Sequence, residues 1–121
     1  MESDERTNLK GRKCLIIHTY RTIGGKDLIR EFINSLTHEE KVEGLSILER
    51  LENGSIDVLD CLNIKKFKGK IWEIKFRKFN RIFYVLLKDD NIYLLHACKK
   101  QKNAAELFDK RLAQQRAREI E

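Results

Sequence analysis

The sequence predicts one α+β domain: a small twisted antiparallel sheet with helices packed on one face, in the order β-α-α-β-β-β-α. Three observations carry this. Apolar residues recur at helical spacing before Gly54, alternate with polar ones from Ile71, and return to helical spacing after Asn103. At 121 residues, with 41% hydrophobic and 36% charged side chains, the chain suits one core rather than two. There is no proline, internal repeat or Ser/Gly-rich stretch to mark a linker.

Residues 1–12 lack an apolar period and are expected to form a mobile tail, leaving residues 13–121 as the single domain. Within Lys13 to Tyr20, Leu15-Ile16-Ile17 is a short apolar run bounded by polar residues, the first predicted strand. Gly24-Gly25 breaks the chain. Leu28, Ile29, Phe32, Ile33 and Leu36 then form one helical stripe. Thr37 and Glu40 stand at capping-box spacing before a second helix, with Val42, Leu45, Leu48 and Leu51 inward and Gly54 placed for a left-handed C-terminal turn.

From Ile71 to Arg77, Trp72, Ile74 and Phe76 alternate with Glu73, Lys75 and Arg77, so this strand has one wet face; Trp72 is read as core. Arg81 to Leu87 is apolar at nearly every position, as a strand covered on both faces would be, and Tyr84 is placed in the core with it. Asp89-Asp90 supplies a turn, and Ile92 to Cys98 completes an antiparallel meander. With a two-residue turn, Arg81 opposes Cys98 and Phe83 opposes His96, so His96 and Arg81 share a face. A last helix starts at Asn103, with Leu107, Phe108 and Leu112 inward.

Charge narrows the function classes. The net charge is +6, yet Met1 to Asn63 carries 9 basic against 12 acidic residues, Ile64 to Lys102 carries 12 against 3, and Asn103 to Glu121 carries 4 against 4. The middle third therefore holds the whole excess. A concentrated basic surface lowers the energy of a nearby phosphate polyanion, which puts nucleic acid first among partners. An acidic protein or a lipid headgroup surface meets the same electrostatics. The longest apolar runs, Cys14 to Ile17 and Ile82 to Leu87, are far below membrane-spanning length, and the acidic start Met1-Glu2-Ser3-Asp4-Glu5 does not suit a signal peptide. No membrane role and a cytoplasmic location are expected. Cys14, Cys61 and Cys98 have neither C-x-x-C spacing nor a nearby histidine pair, so reduced thiols and no metal site are expected.

Taken together, Ile71-Trp72-Glu73-Ile74-Lys75, Arg81-Ile82-Phe83-Tyr84, Tyr93-Leu94-Leu95-His96 and Lys99-Lys100-Gln101-Lys102 resemble, in order and spacing, the RelE/ParE superfamily of bacterial toxins, closest to its HigB-like, phage-derived branch. The specific motifs lie between Trp72 and Lys110. The resemblance implies a RelE-like fold and the toxin of a type II toxin-antitoxin system, usually a ribosome-dependent endoribonuclease (an mRNA interferase) that arrests translation and is neutralised by a cognate antitoxin. It implies Arg81 as a phosphate-binding and transition-state group, Lys75 where relatives more often have arginine, His96 as the strand-borne histidine, and Lys99, Lys100 and Lys102 as the basic cluster after the last strand. Two features depart from the family: the Thr and Pro after the lysine cluster are absent, and no C-terminal Tyr or His stands where some relatives place a catalytic group.

The chemistry is compatible with these residue types. Attack of a 2′-hydroxyl on its own phosphodiester needs a base, an acid for the 5′-oxygen and positive charge on the transition state. Arg81 offers a permanently charged fork that binds two phosphate oxygens. His96 titrates near neutrality and suits proton transfer. Lys75 is the third catalytic candidate, while Arg77, Lys99, Lys100 and Lys102 are RNA-binding candidates facing messenger RNA on the ribosome. Arginine and lysine can supply the charge, so no cofactor or metal is expected. The chain is expected as a monomer or in a toxin-antitoxin hetero-oligomer. Two alternatives stay open: a ParE-like protein that poisons gyrase without a nuclease site, and a decayed toxin homologue. The nuclease reading depends on Arg81 and the neighbouring lysines forming an open cationic cup. Ion pairs beneath a packed helix would remove that basis.

Overall fold

The computed structural model describes residues 14–77 and 79–120, so the expected tail over residues 1–12, and Lys13 with it, lie outside the described residues. Five strands, Ile16–Thr19 (β1), Asn63–Lys68 (β2), Ile71–Phe76 (β3), Asn80–Leu87 (β4) and Asn91–Lys99 (β5), form one sheet in the order β1-β5-β4-β3-β2. The helices are Leu28–Asn34 (α1), His38–Asn53 (α2) and Asn103–Ile120 (α3). The α+β class and the meander from β3 to β5 are as expected. The sheet is mixed, however: β1 pairs parallel to β5, Ile16 opposite Asn91, and all other pairs are antiparallel.

Two further differences concern elements. Asn63-Ile-Lys-Lys-Phe-Lys68 forms β2, which its lysine content conceals in the sequence; only Ile64 and Phe67 are partly buried there, as befits an edge strand. A short 3-10 helix, Ile56–Cys61, connects α2 to it.

The helices also lie on both faces rather than one. Ile82 and Tyr84 of β4 join Ile29, Ile33, Ile47, Leu48 and Leu51 of α1 and α2 in one core, whereas Phe83 and Val85 pack with Leu95, Ala113 and Ala117 of β5 and α3 on the opposite face. A strand apolar at consecutive positions needs cover on both sides, and α3 provides the second layer.

Local chemistry explains the helix ends. Asp27 caps α1, accepting from the amides of Ile29 (3.1 Å) and Arg30 (3.0 Å) and from the Thr19 hydroxyl (2.9 Å). Thr37 occupies the N-cap of α2 without a side-chain cap bond, and the carboxylate of Glu40, its expected capping-box partner, accepts from Lys99 Nζ at 2.9 Å. Gly54 is extended (φ −110, ψ 175) rather than left-handed. Its lack of a side chain is still required, since a Cβ there would lie 2.0 Å from Val58 Cγ2.

The β4–β5 hairpin reaches the expected pairing by a different route. Its connection spans three residues, Lys88–Asp90, with Asp89 and Asp90 left-handed (φ 60 and 61), so Leu87 opposes Asn91. A register shift then leaves Leu95 unpaired between Leu94, opposite Tyr84, and His96, opposite Phe83. The extra turn residue and the bulge compensate, and Arg81 opposes Cys98 as expected.

Candidate functional site

The α3 face of the sheet carries the candidates. Lys75 opposes Arg81, Arg81 opposes Cys98, and Glu73 and His96 flank Phe83, so side-chain alternation places all of them on one face. Lys75, Arg81 and His96 are thus brought together.

They do not form an open cup. Arg81 is only 5% exposed, with its Nε 3.2 Å from Glu73 Oε2 and its Nη1 donating to Glu106 Oε2 at 3.3 Å from α3. The Glu73 contact is an ion pair without hydrogen-bond alignment: Glu73 Oε2 has no hydrogen-bond partner among the described residues. Glu106 also pairs with Lys110 Nζ (3.2 Å) and accepts from the Gln101 backbone amide (3.4 Å). Burial raises the Glu106 carboxyl's pKa, but Lys110 and Arg81 outweigh it and hold the carboxyl below its usual value.

His96 is closed in the same way. Arg116 Nη1 donates to Leu95 O at 2.9 Å and approaches His96 Nδ1 at 3.4 Å. With a donor at Nδ1, the ring proton belongs on Nε2, which donates to Asp109 Oδ1 at 2.8 Å. Desolvation lowers the His96 pKa; Asp109 opposes that and Arg116 reinforces it, so the ring is neutral near neutrality. Beside it, burial and then Asp109 push the Cys98 thiol up to about 12. His96, Cys98 and Asp109 each bring a ligand atom within 4.8 Å of the others. A cation there would have to displace protons from Nε2 and Sγ while facing the guanidiniums of Arg81 and Arg116. The three groups fit a hydrogen-bonded network better than a metal centre.

The basic candidates divide. Arg77 turns to α2, pairing with Glu43 (3.0 Å) and Glu39 (3.7 Å). Lys99 pairs with Glu40 and also donates to Asn80 Oδ1 at 3.1 Å. Lys75, half-buried, and Lys100 and Lys102, exposed, make no ion pair with a described residue.

The inner stripe of α3 was mispredicted, and with it the covering residues. Leu107 and Phe108 are 48% and 64% exposed, while Asp109, Ala113 and Ala117 are buried. Small alanines let the helix approach the sheet, and Glu106, Asp109 and Arg116 meet the polar groups of β4 and β5. The signal was legible as charged residues sharing helical spacing with Ala113 and Ala117, but a search for large apolar residues passes over it. Trp72, expected in the core, is 37% exposed, whereas Tyr84 is buried as expected.

The fold is of the α+β class, a five-stranded mixed sheet with helices packed on it, and is compatible with a small RelE-like architecture. The family model described as Phage derived protein Gp49-like (DUF891) matches residues 31–118, and the chain belongs to this family, a RelE/HigB-like toxin-antitoxin family. No curated protein matches the chain significantly. Among the described residues, no helix is long and apolar enough to cross a membrane.

Proposed function

We propose that this chain is a toxin that cleaves messenger RNA on the ribosome and is held in check by a cognate antitoxin. The observation that carries the reading is the placement of Lys75 directly opposite Arg81 at the sheet end that leads into Lys99, Lys100 and Lys102. Arg81 is not a preformed, open clamp, since Arg81 lies in ion pairs and the neutral His96 ring in hydrogen bonds beneath α3. The reading therefore carries a condition. The first half of α3 must lift, which withdraws Glu106 and Asp109 together and exposes Arg81 and His96 together.

In that state a phosphate takes the place of the Glu106 carboxylate on the Arg81 fork, while Glu73 holds the guanidinium from the sheet. Once Arg116 keeps only its bond to Leu95 O, the unprotonated Nδ1 of the neutral His96 ring takes the 2′-hydroxyl proton as the 2′-oxygen bonds to phosphorus. The bond from phosphorus to the 5′-oxygen breaks, and the leaving oxygen takes its proton from the Lys75 ammonium. Lys75 adds charge to the transition state, and Lys100 and Lys102 hold the flanking backbone.

The burial of Arg81 and His96 favours a second reading, a toxin that acts by binding gyrase without a nuclease site. Induced expression with messenger RNA integrity and gyrase supercoiling followed in the same cells separates the two. Cleaved RNA with active gyrase is expected; intact RNA with inhibited gyrase overturns the nuclease.

A further inference from the structure

Away from α3, on the α1/α2 side of the sheet, Leu59 and Asp60 of the 3-10 helix and Ile64, Trp72, Tyr84 and Leu86 of β2, β3 and β4 line a groove of about 300 Å³. Trp72 and Tyr84 are cross-strand partners, and Lys66, opposite Trp72, holds its Nζ 5.6 Å from the indole centroid. The groove runs beside the free edge of the sheet, because β2 is the last strand and pairs only with β3. Lys65, Lys66, Lys68 and Lys70 are exposed on or next to this strand, and none forms an ion pair with a described residue.

We propose that this edge and groove dock an acidic polypeptide segment, added to β2 in extended form with a large apolar side chain seated against Trp72. An edge strand offers unpaired backbone donors and acceptors that an extended chain completes, while pockets beside it select alternate side chains. Charge selects the occupant. A second copy of this chain would set β2 against β2, lysine against lysine, and is repelled; a segment with carboxylates alternating with apolar residues is attracted. RNA fits the lysines but not the rest. It has no strand backbone to complete the ladder, and the groove beside the edge offers mainly carbon surface, which suits an apolar side chain and not a phosphate. The surface lies on the opposite face from Arg81 and His96, so the inference does not depend on the nuclease reading. It gives the antitoxin class of partner a place and a chemistry.

The chain's single tryptophan reports on the site directly. The probe is a short synthetic peptide of alternating glutamate and leucine, titrated into the intact protein, with a lysine-leucine peptide and oligouridylate as comparisons. A saturable blue shift of Trp72 emission, weakened by salt, with slowed amide hydrogen exchange along 63–68, is expected for the acidic peptide alone. Lys66→Glu with Lys68→Glu should weaken that binding by at least about tenfold, as expected when charges facing the ligand are reversed. An absent shift, an equal shift with the lysine-leucine peptide, unchanged exchange along β2 or unaltered binding by the double variant overturns the proposal. A saturable shift with oligouridylate alone assigns the edge to RNA and overturns it as well. Loss of RNA cleavage with peptide binding intact would count against the nuclease only.

Discussion

Arg81 of β4 and Glu106 of α3 meet at 3.3 Å between Nη1 and Oε2, so the guanidinium proposed as the phosphate clamp is occupied by a carboxylate of the same chain. A carboxylate and a phosphate oxygen make equivalent demands on a guanidinium. The contact therefore sets a competition.

Glu106→Gln keeps the shape and removes the competing charge. Messenger RNA cleavage on induction should rise by on the order of tenfold, the weight of one charge-assisted hydrogen bond. Unchanged or lower cleavage in a folded variant would show that Glu106 does not gate Arg81.

Arg81→Ala leaves Glu73 buried without its cation and should cost about 3–5 kcal/mol in a denaturant titration, enough to confuse lost function with lost fold. Arg81→Met combined with Glu73→Gln removes both charges and should recover most of the stability while still abolishing cleavage. Cleavage by the double variant rules out Arg81 as the phosphate clamp.

His96 makes stability depend on pH in a defined direction. Burial, reinforced by Arg116 and only partly offset by Asp109, keeps its folded pKa below the unfolded one, so the unfolded chain binds the proton first. The contribution is complete above about pH 6.5 and is lost as the pH falls through the folded value. Urea midpoints should decline below this pH, and His96→Gln should flatten the decline.

Gly44 tests the helix packing. A Cβ at this position would lie 2.9 Å from Ile33 Cγ2 and 3.3 Å from Phe76 Cε2, and Ile33 is fully buried. Alanine favours the helix by about 1 kcal/mol, but overpacking costs about 1–3 kcal/mol, so Gly44→Ala should be destabilising in net. A raised melting temperature would show that Ile33 yields without strain.

The thiols should separate by reactivity. Cys61 is exposed, whereas Cys98 is buried with its pKa pushed up to about 12. At mildly alkaline pH an alkylating reagent should modify Cys61 promptly and Cys98 only on unfolding. Because the unfolded thiol ionises first, Cys98 also withdraws stability as the pH rises above about 9.

How much of this was legible in the sequence follows the strength of each local signal. The alternation in β3 and the doubly apolar run of β4 located the centre of the sheet, and the family motifs lie on those strands. β2 was missed because an edge strand that is half lysine, with Ile64 and Phe67 three residues apart, carries no apolar alternation. The site was half legible. Pairing arithmetic put Arg81, Cys98, Phe83 and His96 in the right rows, although the turn was one residue longer than expected and the bulge restored the count. The cover was not legible, since the orientation of α3 follows buried charge on the sheet beneath it rather than the helix's own large apolar residues. Leu107 and Phe108 point outward because Asp109 and Arg116 are wanted inside.

The bulge at Leu95 also makes the two ends of α3 unlike each other. Leu95 is skipped in the ladder, and its carbonyl accepts from Arg116 at 2.9 Å, a backbone anchor that depends on no carboxylate. The other end is fastened to Arg81 through the Glu106 carboxylate, a covered contact that general salt screens little but that a phosphate group can replace on the guanidinium. A phosphate group that takes Arg81 from Glu106 should consequently free the helix at its beginning while its tail remains pinned, turning a rigid cover into a flap with a built-in pivot.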